Sequence, residues 1–239
     1  MDDLTRLHVL CRRVFFVFMY YSVSLKECFS MSVTHSRTRT LVEAALMIAL
    51  ATVLSEIQFP LAWTHGGSIT LLSMLPIILM SLRNGPKWGL GTAFIFSLIQ
   101  FLLGVSNLAY CQTLAAQIGC VLLDYLLAFT VLGLACLPFR ALKSGVVGVG
   151  VGTAVVCLLR FLCSFFSGYI VWKDYDYAFE WLNNFGWGAW FTANLGEDAL
   201  CWFYSFAYNF SYMLPETILT VVGAVVLYKA APRLFRREG

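Results

Sequence analysis

The side chains best suited to binding a ligand lie where a long apolar segment begins. Residues 204–216 read Tyr-Ser-Phe-Ala-Tyr-Asn-Phe-Ser-Tyr-Met-Leu-Pro-Glu, so aromatic rings, an amide and an acid share one short stretch. Trp172 ends another apolar segment, and Asp124 lies in the middle of a third. Aromatic rings around one carboxylate are suited to a flat organic cation. This pattern therefore predicts a site for a flat, cationic, water-soluble molecule.

A polar seam runs along the fifth apolar segment. Arg160, Ser164, Gly168 and Trp172 recur at every fourth position and so share one face of a helix. A purely structural seam would pair Arg160 with an acid and leave Trp172 in the interfacial belt. Charges inside membranes usually have a function, however, and the carboxylate of Asp124 needs a positive partner. Arg160, a ligand cation, or both could be that partner.

Composition indicates a membrane protein. Hydrophobic residues make up 60% of the 239 residues and charged residues only 12%, which excludes an ordinary soluble domain. Six apolar segments are predicted to cross the bilayer as helices, at roughly 41–59, 69–82, 88–104, 113–138, 146–172 and 200–228. The second is short and carries Pro76 at its centre, so it is expected to span only with help from its neighbours. The predicted fold is an all-α membrane protein, a bundle of six transmembrane helices.

Positive charges lie on one side of this bundle. With six spans, one side holds Arg37, Arg39, Arg83, Lys87, Arg140, Lys143, Lys229, Arg233, Arg236 and Arg237. The loop at 173–199 on the other side is acidic and rich in tryptophan. The asymmetry predicts that both termini are cytoplasmic and that the loop faces outward. We therefore expect a multi-pass protein of the plasma membrane.

The first thirty residues do not fit this pattern. Residues 14–24 are apolar but too short to span, and they follow Arg12 and Arg13. Our hypothesis is that Met31 is the biological start and that residues 1–30 come from a mis-assigned upstream start. A membrane-surface amphipathic segment is the alternative. Residues 31–239 are predicted to form a single membrane domain.

Several motifs of enzymes and metal sites are missing from the sequence. It contains no phosphate-binding loop, no Gly-x-Ser-x-Gly turn and no His-Glu-x-x-His pair. Six cysteines lie in or beside apolar segments and are interpreted as small buried hydrophobic residues: Cys111, Cys120, Cys136, Cys157, Cys163 and Cys201. No catalytic residue, cofactor, metal or nucleic-acid partner is therefore expected.

From about residue 38 to 231 the chain resembles the thiamine-specific S component, the substrate-binding membrane subunit, of energy-coupling factor (ECF) transporters. The matching segments are 66–77, 81–85, Leu-Leu-Asp-Tyr at 122–125, Ser-Gly-Tyr-Ile-Val-Trp at 167–172, and Tyr-Asn-Phe-Ser-Tyr-Met-Leu-Pro-Glu at 208–216. The last motif, in register with Leu-Leu-Asp-Tyr, is the most specific of them.

The resemblance implies an S-component bundle that holds thiamine near the outer surface. Trp172 would stack on a thiamine ring, and Asp124 would face the positive thiazolium with Tyr125 beside it. Tyr204 would contact the ligand, and Asn209 would hydrogen-bond to the edge of the aminopyrimidine.

Other site residues follow from the same resemblance, with some departures. Gly168 would let the ligand lie against the backbone, beside Arg160 in the seam. Ser164 stands where the family often has histidine, and Asp124 stands where it often has glutamate. Trp63 is the nearest candidate for a tryptophan contact from the first outer loop. The 173–199 loop is longer than usual, and a lid and an electrostatic attractor for cations both remain open.

The resemblance also implies partners. Ala45 and Ala49 form a small-residue stripe that would dock on the shared transmembrane coupling subunit, and two cytoplasmic ATPases would supply ATP hydrolysis. Two alternatives remain. The same scaffold could bind another vitamin or a thiamine precursor, or the chain could be an autonomous secondary transporter in which Asp124 and Arg160 form a proton-coupled pair.

Overall fold

The computed structural model describes residues 37–60, 67–111, 113–142 and 145–235. The elements of the first half are α1 Arg37–Glu56, β1 Gln58–Pro60, β2 Ser68–Thr70, α2 Leu75–Asn84, α3 Pro86–Leu103 and a 3₁₀ helix Val105–Tyr110. Trp63 and residues 1–30 lie outside the described ranges, so the predictions made on them stay predictions.

The second half begins with a long, irregular helical span, Leu114–Ala141, and continues with further helices. Its elements are α4 Leu114–Cys120, a π-helical stretch Val121–Leu127, α5 Ala128–Thr130, a 3₁₀ turn Val131–Leu134, α6 Cys136–Ala141, α7 Val146–Ile170, α8 Tyr175–Asn183, α9 Gly188–Asn194, α10 Glu197–Ala230 and a 3₁₀ turn Pro232–Phe235.

Five helical stretches of the described chain are long and apolar enough to cross a membrane. They are Arg37–Glu56, Pro86–Leu103, Leu114–Ala141, Val146–Ile170 and Glu197–Ala230. Their outward sides carry many exposed large apolar residues, as lipid-facing helices do. The predicted all-α membrane architecture is confirmed.

The second apolar segment differs from the single helix that its sequence suggests. Its first residues form β2, which pairs antiparallel with β1 and sets Ile69 opposite Phe59. α2 follows with only 10 residues, which at about 1.5 Å per residue reach roughly half of the hydrocarbon thickness. Pro76 lies in the first turn of α2 and not at the centre of a span. Proline is tolerated there because backbone N–H groups of the first turn have no partner within the helix. The side chains of α2 from Leu75 to Leu82 are all buried, so neighbouring elements cover this helix on every face.

The span Leu114–Ala141 contains two departures from α-helical geometry. A π-helical stretch places Asp124 at its centre, and the 3₁₀ turn that follows contains Gly133. Ser81 satisfies backbone groups there, since its Oγ donates to the Gly133 carbonyl oxygen at 2.6 Å and accepts from the Cys136 N–H at 3.2 Å. A Cβ on Gly133 would lie 2.6 Å from the backbone of Gly89, so the glycine allows close helix packing. Wide π turns often occur at functional sites.

The loop at 173–199 folds as a small helical cap. α8 and α9 enclose an apolar cluster of Trp181, Leu182 and Leu200, which also includes the first turns of α10. Lys173 and Asp198 form an ion pair that joins the two ends of the loop. We call residues 173–198 the cap. Its contacts hold it against the tyrosine-bearing part of α10.

Candidate binding site

The carboxylate of Asp124 and the indole of Trp172 meet at the end of the bundle that carries the cap. Trp172 Nε1 donates to Asp124 Oδ2 at 2.9 Å. Trp172 follows directly after α7, and its backbone N–H is held by the carbonyl oxygen of Ser167 at 3.3 Å. Within the described chain, Asp124 forms no ion pair. A half-buried carboxylate whose partner is a neutral donor has no charge partner among the described residues, and a ligand cation can fill that position.

Further groups line the surroundings of this carboxylate. Cys120 precedes Asp124 by one helical turn, and the carbonyl oxygen of Ser167 accepts from the backbone N–H of Trp172. Ser167 Oγ is buried and forms no hydrogen bond within the described part of the chain. Trp172 is half-buried, and its indole pairs with no other ring among the aromatic residues described. The indole can therefore still stack on a ligand.

Arg160 pairs with a different acid. Its Nη1 lies 2.8 Å from Glu216 Oε2 and 3.0 Å from the sulfur of Met74, and its guanidinium carbon lies 4.7 Å from the centre of the Phe129 ring. Of the three partners considered for Asp124, the chain's own arginine is thus excluded in this structure. Arg160 belongs to the framework of the bundle rather than to the carboxylate site.

Glu216 is the acid that the sequence reasoning did not place in any pair. It is only 1% exposed and also accepts a hydrogen bond from the hydroxyl of Thr70 in β2. Glu216 therefore ties the hairpin, α7 and α10 together. The sequence did offer a sign of this pair, since Glu216 follows Pro215 inside an apolar segment. An acid buried there needs a partner of opposite charge.

Three tyrosines form a row along α10 at a spacing of four residues. The ring centroids are 5.6 Å apart for Tyr204 and Tyr208 and 5.8 Å apart for Tyr208 and Tyr212. Trp181 of the cap lies 5.4 Å from Tyr204 and 6.1 Å from Tyr208, edge to face. Tyr208 also accepts a hydrogen bond from the N–H of Gly67 at 3.2 Å. Gly67, directly before β2, and Trp181 of the cap thus meet on this row.

Trp181 is more deeply placed than a loop tryptophan was expected to be. Trp181 is 6% exposed and packs on Tyr204 and Tyr208. Trp190 in α9 is 63% exposed. Trp190 is therefore the better control in any test of the site.

Asn209 joins two helices. Its Nδ2 donates to the carbonyl oxygens of Ser205 at 2.9 Å and Ser164 at 3.3 Å, and its Oδ1 accepts from the Tyr212 hydroxyl at 2.8 Å. Both amide hydrogens are therefore in use, and one acceptor position of Oδ1 is left for a ligand. The contact with an aminopyrimidine stays a prediction, and so does any ligand contact of Ser164.

Tyr125 points away from its neighbour Asp124. Its hydroxyl donates to the Gly104 carbonyl oxygen at 3.0 Å and accepts from Asn107 Nδ2 at 2.8 Å, and its ring meets Phe101 edge to face. These contacts fix the π-helical stretch against the end of α3. Tyr125 thus positions Asp124 through the backbone.

Gly168 lies against α10. A Cβ built on it would meet Ser205 Oγ at 2.2 Å and Ser205 Cβ at 3.0 Å, so the glycine allows α7 and α10 to approach closely. Its contact with a ligand stays a prediction. We expect Gly168→Ala to lower the free energy of unfolding by about 1–3 kcal/mol through overpacking. Thermal unfolding in detergent measures this, and Ser205→Gly in the same chain should restore part of the loss. Equal stability of Gly168→Ala and wild type would contradict the contact.

Comparison with known proteins identifies the family. The family described as "Thiamine transporter protein (Thia_YuaJ)" matches residues 41–236. The chain belongs to this family. It is 29% identical over 199 residues to the thiamine transporter ThiT of Bacillus subtilis (strain 168), a match covering 83% of this chain and 94% of that protein. It is 24% identical to ThiT of Lacticaseibacillus paracasei, covering 84% and 92%.

A solved structure of ThiT from Listeria monocytogenes has the same fold. The two sequences are 23% identical, and the match covers 84% of this chain and 98% of the solved chain with a TM-score of 0.61. Family membership confirms the resemblance described above, and it makes this chain a multi-pass membrane transporter component rather than an enzyme.

Proposed function

We propose that this chain is the thiamine-binding membrane subunit of an ECF-type vitamin importer. One observation carries the proposal: Asp124, a half-buried carboxylate in the membrane domain, has a tryptophan N–H as its partner and no cation from the described chain. Membership of the thiamine transporter family supports the same ligand. Thiamine supplies the missing positive charge through its thiazolium ring.

The geometry suggests how thiamine would be held. A cation over the indole of Trp172 gains about 0.5–2 kcal/mol when desolvated. A charge-assisted contact with Asp124 adds about 1.5–3 kcal/mol. Tyr204 and the tyrosine row, closed from outside by Trp181, would exclude water from the ligand. This arrangement favours the lid role of the cap over a purely electrostatic one.

The partners and the orientation belong to the same proposal. The acidic cap would face outward and both termini would be cytoplasmic, as the positive charges predict. Ala45 and Ala49 are exposed on α1, which is compatible with docking on a transmembrane coupling subunit that is served by two ATPases. Thiamine would then bind at the outer end, and its release would require the partner complex.

The two alternatives fare differently. An autonomous proton-coupled transporter was based on a pair between Asp124 and Arg160, but Arg160 pairs with Glu216. A thiamine precursor such as a hydroxymethylpyrimidine remains open because the scaffold could hold its ring. The precursor lacks the thiazolium charge, so removing the charge of Asp124 should weaken thiamine binding far more than precursor binding.

Titration of the purified chain with thiamine tests the proposal. Stacking on Trp172 should quench tryptophan fluorescence, and Trp172→Ala should lose much of that quenching and weaken binding by roughly 2- to 30-fold, the equivalent of 0.5–2 kcal/mol. Trp190→Ala, which removes an exposed indole, should behave like wild type. Absence of thiamine binding by the wild-type protein would contradict the proposed function.

A further inference from the structure

Two tryptophan indoles lie exposed on the cap. Trp187 is 50% exposed and Trp190 is 63% exposed, whereas Trp181 is buried against the tyrosine row. The run 181–196 contains no charged residue, and the charges of the cap lie before and after it. Exposed apolar surfaces of this kind mark contacts with a protein or a membrane. We call Trp187 together with α9, which contains Trp190, the indole face.

A chain of ring contacts joins the indole face to α10. The ring of Trp190 meets Phe191 edge to face, with centroids 5.1 Å apart, and Phe191 stacks on Phe203 of α10 at 3.9 Å. The ring of Trp187 lies 6.3 Å from the same Phe203 ring. The indole face is therefore held beside Phe203, close to its level along α10.

The level of Phe203 relative to a bilayer follows from the exposed side chains of α10. Large apolar side chains are exposed at every fourth position of this helix, namely Phe206, Phe210, Leu214, Ile218, Val222 and Val226. At roughly 1.5 Å per residue, the distance from Phe206 to Val226 is about 30 Å, the thickness of the hydrocarbon core. Phe206 thus marks the edge of the hydrocarbon on the side of the cap. Phe203 lies about 4.5 Å beyond that edge, within the headgroup layer of roughly 5–7 Å.

The neighbouring helix α7 gives the same boundary. Ile170, the last residue of α7, is 64% exposed, and the ring of Tyr169 stacks on Trp202 of α10 with centroids 3.9 Å apart. The carboxylate of Asp198, which pairs with a lysine, lies one helical turn further from the hydrocarbon than Trp202. Lipid-exposed apolar side chains on one side and a charged pair on the other thus bracket the level of Phe203.

We propose that Trp187 and Trp190 anchor the cap in the lipid headgroup layer of the bilayer. An indole combines an apolar ring with a polar N–H, so it is suited to this layer, where tryptophan is enriched in membrane proteins. Lipid is favoured over a second protein because the indole face continues the lipid-exposed surface of α10 through Phe191 and Phe203. The lack of charge on this face fits the same occupant.

The lipid contact holds the cap from a second side. Trp181 attaches the cap to Tyr204 and Tyr208, and the indole face attaches it to the membrane surface beside α10. The cap is thus placed over the end of the bundle by both the protein and the bilayer. This contact involves no ligand, so its test gives the same answer whether or not the chain binds thiamine.

Fluorescence quenching in lipid nanodiscs tests the contact. The full-length wild-type protein and its Trp190→Phe variant are placed in phosphatidylcholine discs, and the emission that the variant lacks is that of Trp190. Phosphatidylcholine brominated near the headgroup end of its acyl chains quenches indoles that contact this layer, whereas iodide quenches indoles in water. We expect the brominated lipid to quench the Trp190 emission more strongly than iodide does, and Trp187→Phe to give the same result for Trp187.

Two outcomes overturn the proposal. Quenching of both indoles by iodide but not by the brominated lipid means that the cap stands in water, and quenching by neither means that another protein surface, such as a second copy of the chain, covers the indole face. Trp181→Phe is the matched control, because Trp181 belongs to the same cap but is 6% exposed. Its emission should be shielded from both quenchers, and equal quenching of Trp181 and Trp190 by the brominated lipid would count against the assignment.

Discussion

Asp124→Asn is expected to weaken thiamine binding by roughly 10- to 100-fold, which corresponds to the loss of one charge-assisted contact. Asparagine keeps an oxygen that can accept from Trp172 Nε1, so the 2.9 Å hydrogen bond and the fold should survive while the charge is lost. Isothermal titration with thiamine measures the effect.

A matched control separates a local contact from general electrostatics. Asp176→Asn removes an exposed carboxylate in the first turn of α8, within the acidic cap. It should lower thiamine affinity only slightly, because exposed charges act weakly at a distance in salt. Equal losses in the two variants would mean that the cap attracts the cation and that Asp124 holds no special position.

Glu216→Ala is expected to give the largest loss of stability among the substitutions considered. Removing one partner of a buried ion pair leaves the Arg160 guanidinium uncompensated, at a cost of about 3–5 kcal/mol. Glu216 is 1% exposed and also holds Thr70, so the hairpin and α7 both lose an anchor. Thermal unfolding in detergent is the measurement.

The double variant Arg160→Met with Glu216→Leu shows whether the charge causes this loss. Two apolar side chains of similar size should recover most of the stability, since a buried pair replaced by hydrophobic residues is often neutral. If the double variant is as unstable as the sum of the two single variants, the two residues do not interact as the 2.8 Å distance implies.

Much of the site could be predicted from local sequence. The four-residue spacing of Tyr204, Tyr208 and Tyr212 is enough to place them on one helical face, and they form a row in the structure. Asp124, in the middle of one apolar segment, and Trp172, at the end of another, were predicted to serve one ligand, and a hydrogen bond joins them in the structure. That prediction came from the types of the side chains and from the family resemblance, whereas the tyrosine row depends on helical periodicity alone.

Pairing between helices could not be predicted in the same way. Sequence does not determine how far two helices are shifted or rotated against each other, so Asp124 and Glu216 were equally available to Arg160. The packing of Gly168 against Ser205 depends on the same relative position of two helices and could not be predicted either. The apolar segment 69–82 was predicted as one short span, whereas it forms β2 and α2. Hydrophobic periodicity does not distinguish a strand followed by a buried helix from a short membrane span.

The most direct test of the account is an experimental structure of the chain with thiamine bound. We expect the thiazolium ring to lie beside the Asp124 carboxylate and a thiamine ring to stack within about 6 Å of the Trp172 indole centre. Thiamine bound elsewhere, or with its positive ring far from Asp124, would contradict it.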